Sequence, residues 1–248
     1  MEKSGQNRNL FGMVIFILLL AVQIFLGKAG HFFANMFVYQ QIDPYDIFAG
    51  ISIHHIIQMI IALIVIILLS NLLHIDFYFK LGDISEGKKY LAIFTAIFAV
   101  ISVALHILMY VNDQLPIYDF PLDVRNILGT LGFQLFLSGP SEEIVFRALP
   151  ITLLIFAFGN SKSIKGNITL EVLFSSILFS FAHVNWSLNP FVFDVDLFRI
   201  SYAFVLGTIQ GVVYQRSKSI LYPMIMHSVS NTLMVGTGYV FYGLNAIL

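Results

Sequence analysis

The chain has 248 residues, of which 58% are hydrophobic and 11% are charged, and its mean hydropathy is +0.86. Soluble domains are about 45–50% apolar and about 25% charged, so this composition excludes an ordinary soluble domain and predicts an integral membrane protein. The net charge of -1 argues against a nucleic-acid partner, and the absence of cysteine excludes disulfides and thiolate chemistry.

Seven apolar segments are long enough to cross a bilayer, which requires roughly 17–25 residues. No long linker and no repeat divides the chain, so we predict one all-α, polytopic membrane helix bundle with about seven transmembrane helices. Residues 1–126 hold the first three helices and residues 127–248 hold the other four; six or eight crossings are the alternatives. The segments are Leu10–Leu26, Ile51–Leu73, Tyr90–Val111, Ile127–Ala157, Leu170–Trp186, Phe198–Gln215 and Leu221–Tyr242.

The first segment follows Lys3 and Arg8, as the apolar part of a signal peptide would. It lacks a clear cleavage site and exceeds the usual length of about 7–15 residues for such a part. We therefore interpret Leu10–Leu26 as a retained membrane anchor.

The fourth segment is too long for one straight crossing. Gly139-Pro140 interrupts it, and Pro150 follows within the same apolar run. Proline has no N–H to donate inside a helix, so we predict a kink or a break at one of these positions.

The basic residues predict the orientation in the membrane. With the N-terminus in the cytoplasm, nine of the 13 basic residues fall in cytoplasmic segments, and only Lys28, Arg125 and Arg199 fall in outer ones. Arg147 lies within a span. By the positive-inside rule we predict a cytoplasmic N-terminus and an outer C-terminus, in the cell membrane if the organism is bacterial.

Three short polar motifs interrupt the apolar segments. Ionisable side chains are costly in hydrocarbon, so their presence in three separate spans predicts a functional site. Taken singly, each has a structural alternative: a charged helix face for the first, a packing histidine for the second, and hydrogen bonds between helices for the third. The motifs are Glu142-Glu143-x-x-x-Arg147, Phe179-x-x-x-His183 and His227-x-x-x-Asn231.

The spacing separates the roles of the two glutamates. Residues four apart share a helix face, so Glu143 and Arg147 are predicted to form an ion pair that supports the site. Glu142 has no such partner on its own helix. A carboxylate without a counter-ion is the better candidate for a general base that activates water, and we assign Glu142 this role.

The two histidine motifs supply complementary groups. His183 is expected to hold the water together with Glu142, or to receive its proton. His227 and Asn231 lie one turn apart, so both can donate hydrogen bonds toward one point, as an oxyanion hole requires. The resulting prediction is the attack of water on a peptide carbonyl.

The order and spacing of the motifs resemble those of the CAAX-protease and bacteriocin-processing family (CPBP, also called Abi) of intramembrane proteases. This family includes the type II CAAX prenyl endopeptidases. The resemblance covers roughly Ile127 to Asn231 and includes Phe146 and the run from Gly207 onward. It implies helices around a conical catalytic cavity and endoproteolysis of a membrane-associated or lipidated protein or peptide.

The resemblance also implies roles for individual residues. Glu142 and His183 would activate water, and His227 and Asn231 would form the oxyanion hole. Members of the family have been described as metalloproteases, and Glu142, His183 and His227 are alternative zinc ligands. We favour a mechanism without metal, because a zinc-bound Glu142 is no longer available as the base.

Three functions remain open. The first is an intramembrane endopeptidase that acts in CAAX-type processing, peptide maturation or bacteriocin immunity. The second is a transporter in which the buried glutamates and histidines relay protons or cations, although no inverted repeat is visible. The third is a catalytically silent bacteriocin-immunity protein.

Other polar residues receive structural interpretations. His54 and His55 are neighbours on the second span, and we expect them at the outer membrane interface rather than around a metal. The stretch Asn185 to Leu197 is either an ordinary loop or a cover over the outer end of the site. Gly207-x-x-x-Gly211 predicts close helix packing in the sixth span.

Overall fold

The computed structural model describes residues 2–188 and 191–247, and it confirms the predicted all-α helix bundle. The first three helices are α1 (Glu2–Ala34), α2 (Ala49–Leu73) and α3 (Ile84–Val111). The later ones are α4 (Val124–Phe133), α5 (Gly139–Glu143), α6 (Leu149–Phe158), α7 (Leu170–Phe181), α8 (Leu197–Ser217) and α9 (Leu221–Ile247). Two antiparallel hairpins connect helices: β1 (Ser163–Lys165) with β2 (Ile168–Thr169), and β3 (Asn185–Leu188) with β4 (Phe191–Asp194).

Several of these helices can cross a membrane. In the described part of the chain, Gln6–Ala34 of α1, α2, α3 and α8 are each long and apolar enough by length and composition. α7 is a shorter apolar helix. A chain with several such helices is a multi-pass membrane protein.

The predicted fifth span, Leu170–Trp186, is wrong at its C-terminal end. α7 ends at Phe181, because Ala182 to Val184 turn the chain and Asn185 then begins strand β3. The predicted helix therefore includes a turn and the first residues of a hairpin.

The long fourth segment is not broken at either proline. α4, α5 and α6 follow one another and are joined by two π-helical turns, Gln134–Ser138 and Ile144–Ala148. The first turn precedes Pro140 and the second precedes Pro150. Each π turn adds a residue to the helix, so the chain passes both prolines without leaving the helical path.

Pro150 also explains how this composite helix is tied to its neighbours. Since proline has no N–H, carbonyl groups in the preceding turn lose a donor. The Gln23 side chain of α1 donates to the Val145 carbonyl at 3.3 Å, and the Ser175 hydroxyl of α7 donates to the Phe146 carbonyl. Two helices are thus fixed to the segment that carries the glutamates.

Glycines allow close approach at two points. A Cβ atom on Gly139 would lie 2.5 Å from the Met224 carbonyl oxygen and 2.8 Å from the Ser228 nitrogen, so α5 rests directly on the backbone of α9. On α8, a Cβ on Gly207 would lie 3.3 Å from Phe179 of α7, and one on Gly211 would lie 3.0 Å from Val172. The close packing predicted for these two glycines is confirmed.

Contacts between helix ends define two ends of the bundle. At the lower end, where α1 begins, Lys162 donates to Asn9, and the Asp83 N–H donates to the Ser217 carbonyl at 2.6 Å. At the upper end, where α1 ends, the Lys28 ammonium lies 5.6 Å from the centre of the Trp186 ring. Successive crossings alternate in direction between these ends.

We expect Gly139→Ala to destabilise the protein, because the added methyl group must displace the backbone of α9. Overpacking of this kind typically costs about 1–3 kcal/mol. Thermal unfolding of the detergent-purified protein measures the effect. Gly132→Ala is the matched control, since a Cβ at that position would meet no described atom within 4 Å apart from the backbone of its own helix. Equal stability of the two variants would contradict this packing.

Candidate active site

A cavity of about 550 Å³ opens at the upper end of the bundle. Its floor consists of buried or half-buried side chains from α1, α2, α5, the second π-helical turn and α7. Its mouth consists mainly of exposed side chains from the helix ends and β3. The floor includes His55, Gln58, Glu142, Phe146 and Leu178, and the mouth includes Lys28, His31, Ala182, Asn185 and Arg199.

Glu142 faces this cavity, and its partners come from other helices rather than from its own, among them His55, which was not predicted. Its Oε1 atom lies 3.0 Å from Nε2 of His55, and its Oε2 atom lies 3.6 Å from Nε2 of His227. The side chain of Glu142 is 18% exposed, against 0% for Glu143. The neighbouring glutamates therefore face different surroundings, as the helical spacing predicted, although an imidazole from another helix contacts Glu142.

Glu143 lies behind the cavity at the centre of a buried polar network. The Arg147 guanidinium lies 3.2 Å from Glu143 Oε1, and the His227 Nδ1 atom donates to the same oxygen at 2.7 Å. Arg147 also donates to Oε1 of Gln210 at 2.6 Å. The predicted Glu143–Arg147 ion pair is present, and it connects the composite helix to α8 and α9.

Phe179 completes the surroundings of Arg147. The guanidinium carbon lies 4.1 Å from the centre of the Phe179 ring, a cation–π contact that removes this face of the charge from water. The same ring packs edge-on against His183, with 4.6 Å between ring centres. The second motif therefore links the buried guanidinium to the cavity.

His183 follows the end of α7 and lines the cavity. Its Nδ1 atom lies 2.8 Å from the Phe179 carbonyl oxygen. Because a carbonyl oxygen can only accept, Nδ1 carries the proton, and Nε2 of the neutral ring is an acceptor. This tautomer suits a histidine that accepts a hydrogen bond from a water molecule.

His227 and Asn231 are not among the residues that line the cavity. His227 lies between the two glutamates, as described above. The Asn231 amide donates to the Ser138 hydroxyl at 2.9 Å, one turn before Glu142 on the composite helix. The structure thus brings His227 next to Glu142, while Asn231 contacts the preceding turn.

His54 and His55 are buried inside the bundle, with 8% and 6% exposure, and their level near the outer membrane interface stays a prediction. Both line the cavity although they are sequence neighbours. The His55 Nδ1 atom donates to the Ile51 carbonyl at 2.9 Å, which leaves Nε2 to meet Glu142. The sequence shows a histidine about two turns into an apolar helix, but it does not indicate which residue that histidine contacts.

The zinc alternative gains no support from the arrangement of the described side chains. In residues 2–188 and 191–247, no group of three or more histidines and carboxylates is arranged to hold a metal ion. We therefore derive no step through zinc.

Comparison with known proteins agrees with the motifs. Residues 124–233 match a family model described as type II CAAX prenyl endopeptidase Rce1-like. The matched segment runs from α4 into α9 and includes all three motifs, so the chain carries an Rce1-like domain there and the resemblance is confirmed. The match supports a protease function in general. Searches among curated proteins and among solved structures gave no significant match.

Glu143→Gln is expected to destabilise the fold, because it leaves the fully buried Arg147 without its counter-ion. Removing one partner of a buried ion pair costs about 3–5 kcal/mol. Glu142→Gln is the matched control: it is the same change one residue earlier, on a side chain that reaches the cavity. Unfolding midpoints in detergent should fall for Glu143→Gln and change little for Glu142→Gln; the reverse order would refute the division between the glutamates.

Proposed function

We propose that the protein is an intramembrane endopeptidase that hydrolyses a peptide bond of a membrane-associated or lipidated protein or peptide. The observation that carries the proposal is the position of Glu142 and His183 in one open cavity, with a buried ion pair directly behind them. The Rce1-like match supports the same reaction class.

In the proposed mechanism, Glu142 and His183 hold the attacking water. The water donates one hydrogen to Nε2 of His183 and the other to a carboxylate oxygen of Glu142, which leaves its lone pair free to attack the peptide carbonyl carbon. Glu142 takes the water's proton as the new C–O bond forms. The same proton then passes to the amide nitrogen, and the C–N bond breaks.

His227 is the proposed donor to the developing oxyanion. Its Nε2 atom lies 3.6 Å from Glu142 Oε2. In this proposal the carbonyl that is attacked by the water held on Glu142 lies next to this nitrogen. In its imidazolium form the ring donates from both nitrogens, to Glu143 and to the substrate oxygen. In this proposal the Asn231 amide gives up its hydrogen bond to the Ser138 hydroxyl and donates to the same substrate oxygen as His227.

His55 is proposed as a positioning residue for the base. Its Nδ1 atom donates its proton to the Ile51 carbonyl. A hydrogen bond between Nε2 and Glu142 therefore requires one further proton, which the imidazole and the carboxylate share. This shared proton fixes Oε1 of Glu142 and leaves Oε2 for the water. His55 lies outside the residues that match the family.

An apolar groove supports a substrate that is attached to the membrane. The groove has a volume of about 420 Å³ and lies between α7 and α8. It shares Phe181 and Val184 with the wall of the cavity. A lipid chain attached to the substrate would lie here, beside the peptide bond to be cleaved.

We expect Glu142→Gln to lower the cleavage rate by roughly 10²–10⁴-fold, because the amide cannot accept the proton of water. N-terminal peptide profiling of membranes from cells with the wild-type and the variant protein identifies the termini that depend on Glu142. A purified Glu142→Gln protein that cleaves a peptide from this set as fast as wild type would refute the assignment.

His55→Ala is expected to lower the cleavage rate about 10²-fold, because Glu142 would no longer be held in position and a misplaced catalytic group typically has this effect. It should also change the shape of the pH–rate profile, which a purely structural defect would leave unchanged. His106→Ala is the matched control, since His106 is also buried and donates from Nδ1 to the carbonyl four residues earlier, at 2.8 Å. Equal losses and unchanged profiles in both variants would contradict a role for His55.

A further inference from the structure

The charged residues are divided between the two ends of the bundle. Nine basic residues lie at the lower end, in the first turns of α1, near the ends of α2, α3 and α8, and around the β1–β2 hairpin. Only Lys28, Arg125 and Arg199 lie at the upper end. That end also carries seven of the 14 acidic residues: Asp43, Asp46, Asp113, Asp119, Asp123, Asp194 and Asp196.

This division has a direct meaning for orientation. Lysine and arginine in short loops are retained on the cytoplasmic side, whereas acidic residues contribute little. All the loops here are short, so a ratio of nine to three strongly favours a cytoplasmic lower end. In the folded protein the nine residues lie together at the lower end, where contacts such as that between Lys162 and Asn9 join the helix ends.

The cavity opens at the opposite end. Its deepest polar residues, Glu142, His55 and Gln58, lie in the middle of the bundle, while its exposed lining residues lie where α1 ends and α8 begins. Trp186 of β3 also belongs to this mouth. Access to Glu142 is therefore from the upper end, away from the nine basic residues.

We propose that the active site of this protein opens to the non-cytoplasmic side of the membrane, and that its substrate is an exported, membrane-attached peptide segment. A prenylated tail in the cytoplasm would meet the lower end of the bundle, where the cavity has no mouth. The proposed substrate depends on the proposed proteolysis, whereas the proposed orientation does not.

Labelling of single cysteines tests the orientation directly, because the natural chain contains none. Asn185→Cys places a thiol at the cavity mouth, and Asn167→Cys places one in the exposed turn between β1 and β2 at the lower end. Neither substitution changes the charge distribution. In intact cells, a membrane-impermeant maleimide should label the Asn185→Cys variant but not the Asn167→Cys variant, and after permeabilisation it should label both.

Any other labelling pattern in intact cells, including labelling of both variants, overturns the proposed orientation. If one thiol fails to react after permeabilisation, Gln114→Cys at the upper end and Ser85→Cys at the lower end replace the pair. A bulky maleimide on purified Asn185→Cys should abolish peptide cleavage, while the same label on Asn167→Cys should not. Unchanged cleavage by the labelled Asn185→Cys protein would show that the substrate does not enter through this mouth, and would leave the proposed proteolysis intact.

Discussion

The structure of the site depends on one buried charge cluster. Glu143 and Arg147 are both fully buried, and their charges are tolerable there only because each has a partner within hydrogen-bonding distance. His227 and Gln210 extend the cluster to α9 and α8. Since an unpaired charge in this position would be very costly, the cluster fixes the relative positions of three helices. The cavity is placed beside this fixed point.

The composite helix shows how local backbone chemistry serves the same arrangement. Its two π turns flank Glu142 and Glu143, and π turns of this kind are frequent at functional sites. Pro150 leaves carbonyl groups free, and these accept hydrogen bonds from α1 and α7. Gly139 lets the helix contact the backbone of α9. The glutamates thus occupy a segment held from three sides.

The base that we propose needs both access to water and a fixed position. Glu142 has access because its side chain reaches the cavity, and His55 from α2 contacts its carboxylate. α2 lies outside the segment that matches the Rce1-like family, so the first part of the chain contributes to the proposed centre as well as to the membrane anchor. The orientation of the bundle in the membrane then decides from which side the peptide substrate reaches this centre.

The sequence by itself determined the helix bundle, the Glu143–Arg147 pair and the close contacts of Gly207 and Gly211, because each depends on spacing along one helix or on composition. It also identified three motifs that all lie within the segment matching the Rce1-like family model. Only the tertiary structure decided that His55 contacts Glu142, that Asn231 contacts Ser138, and that the fifth helix ends at Phe181. These features depend on which helices meet and in which rotation, and helical periodicity gives the face of a residue but not the neighbour that this face will contact.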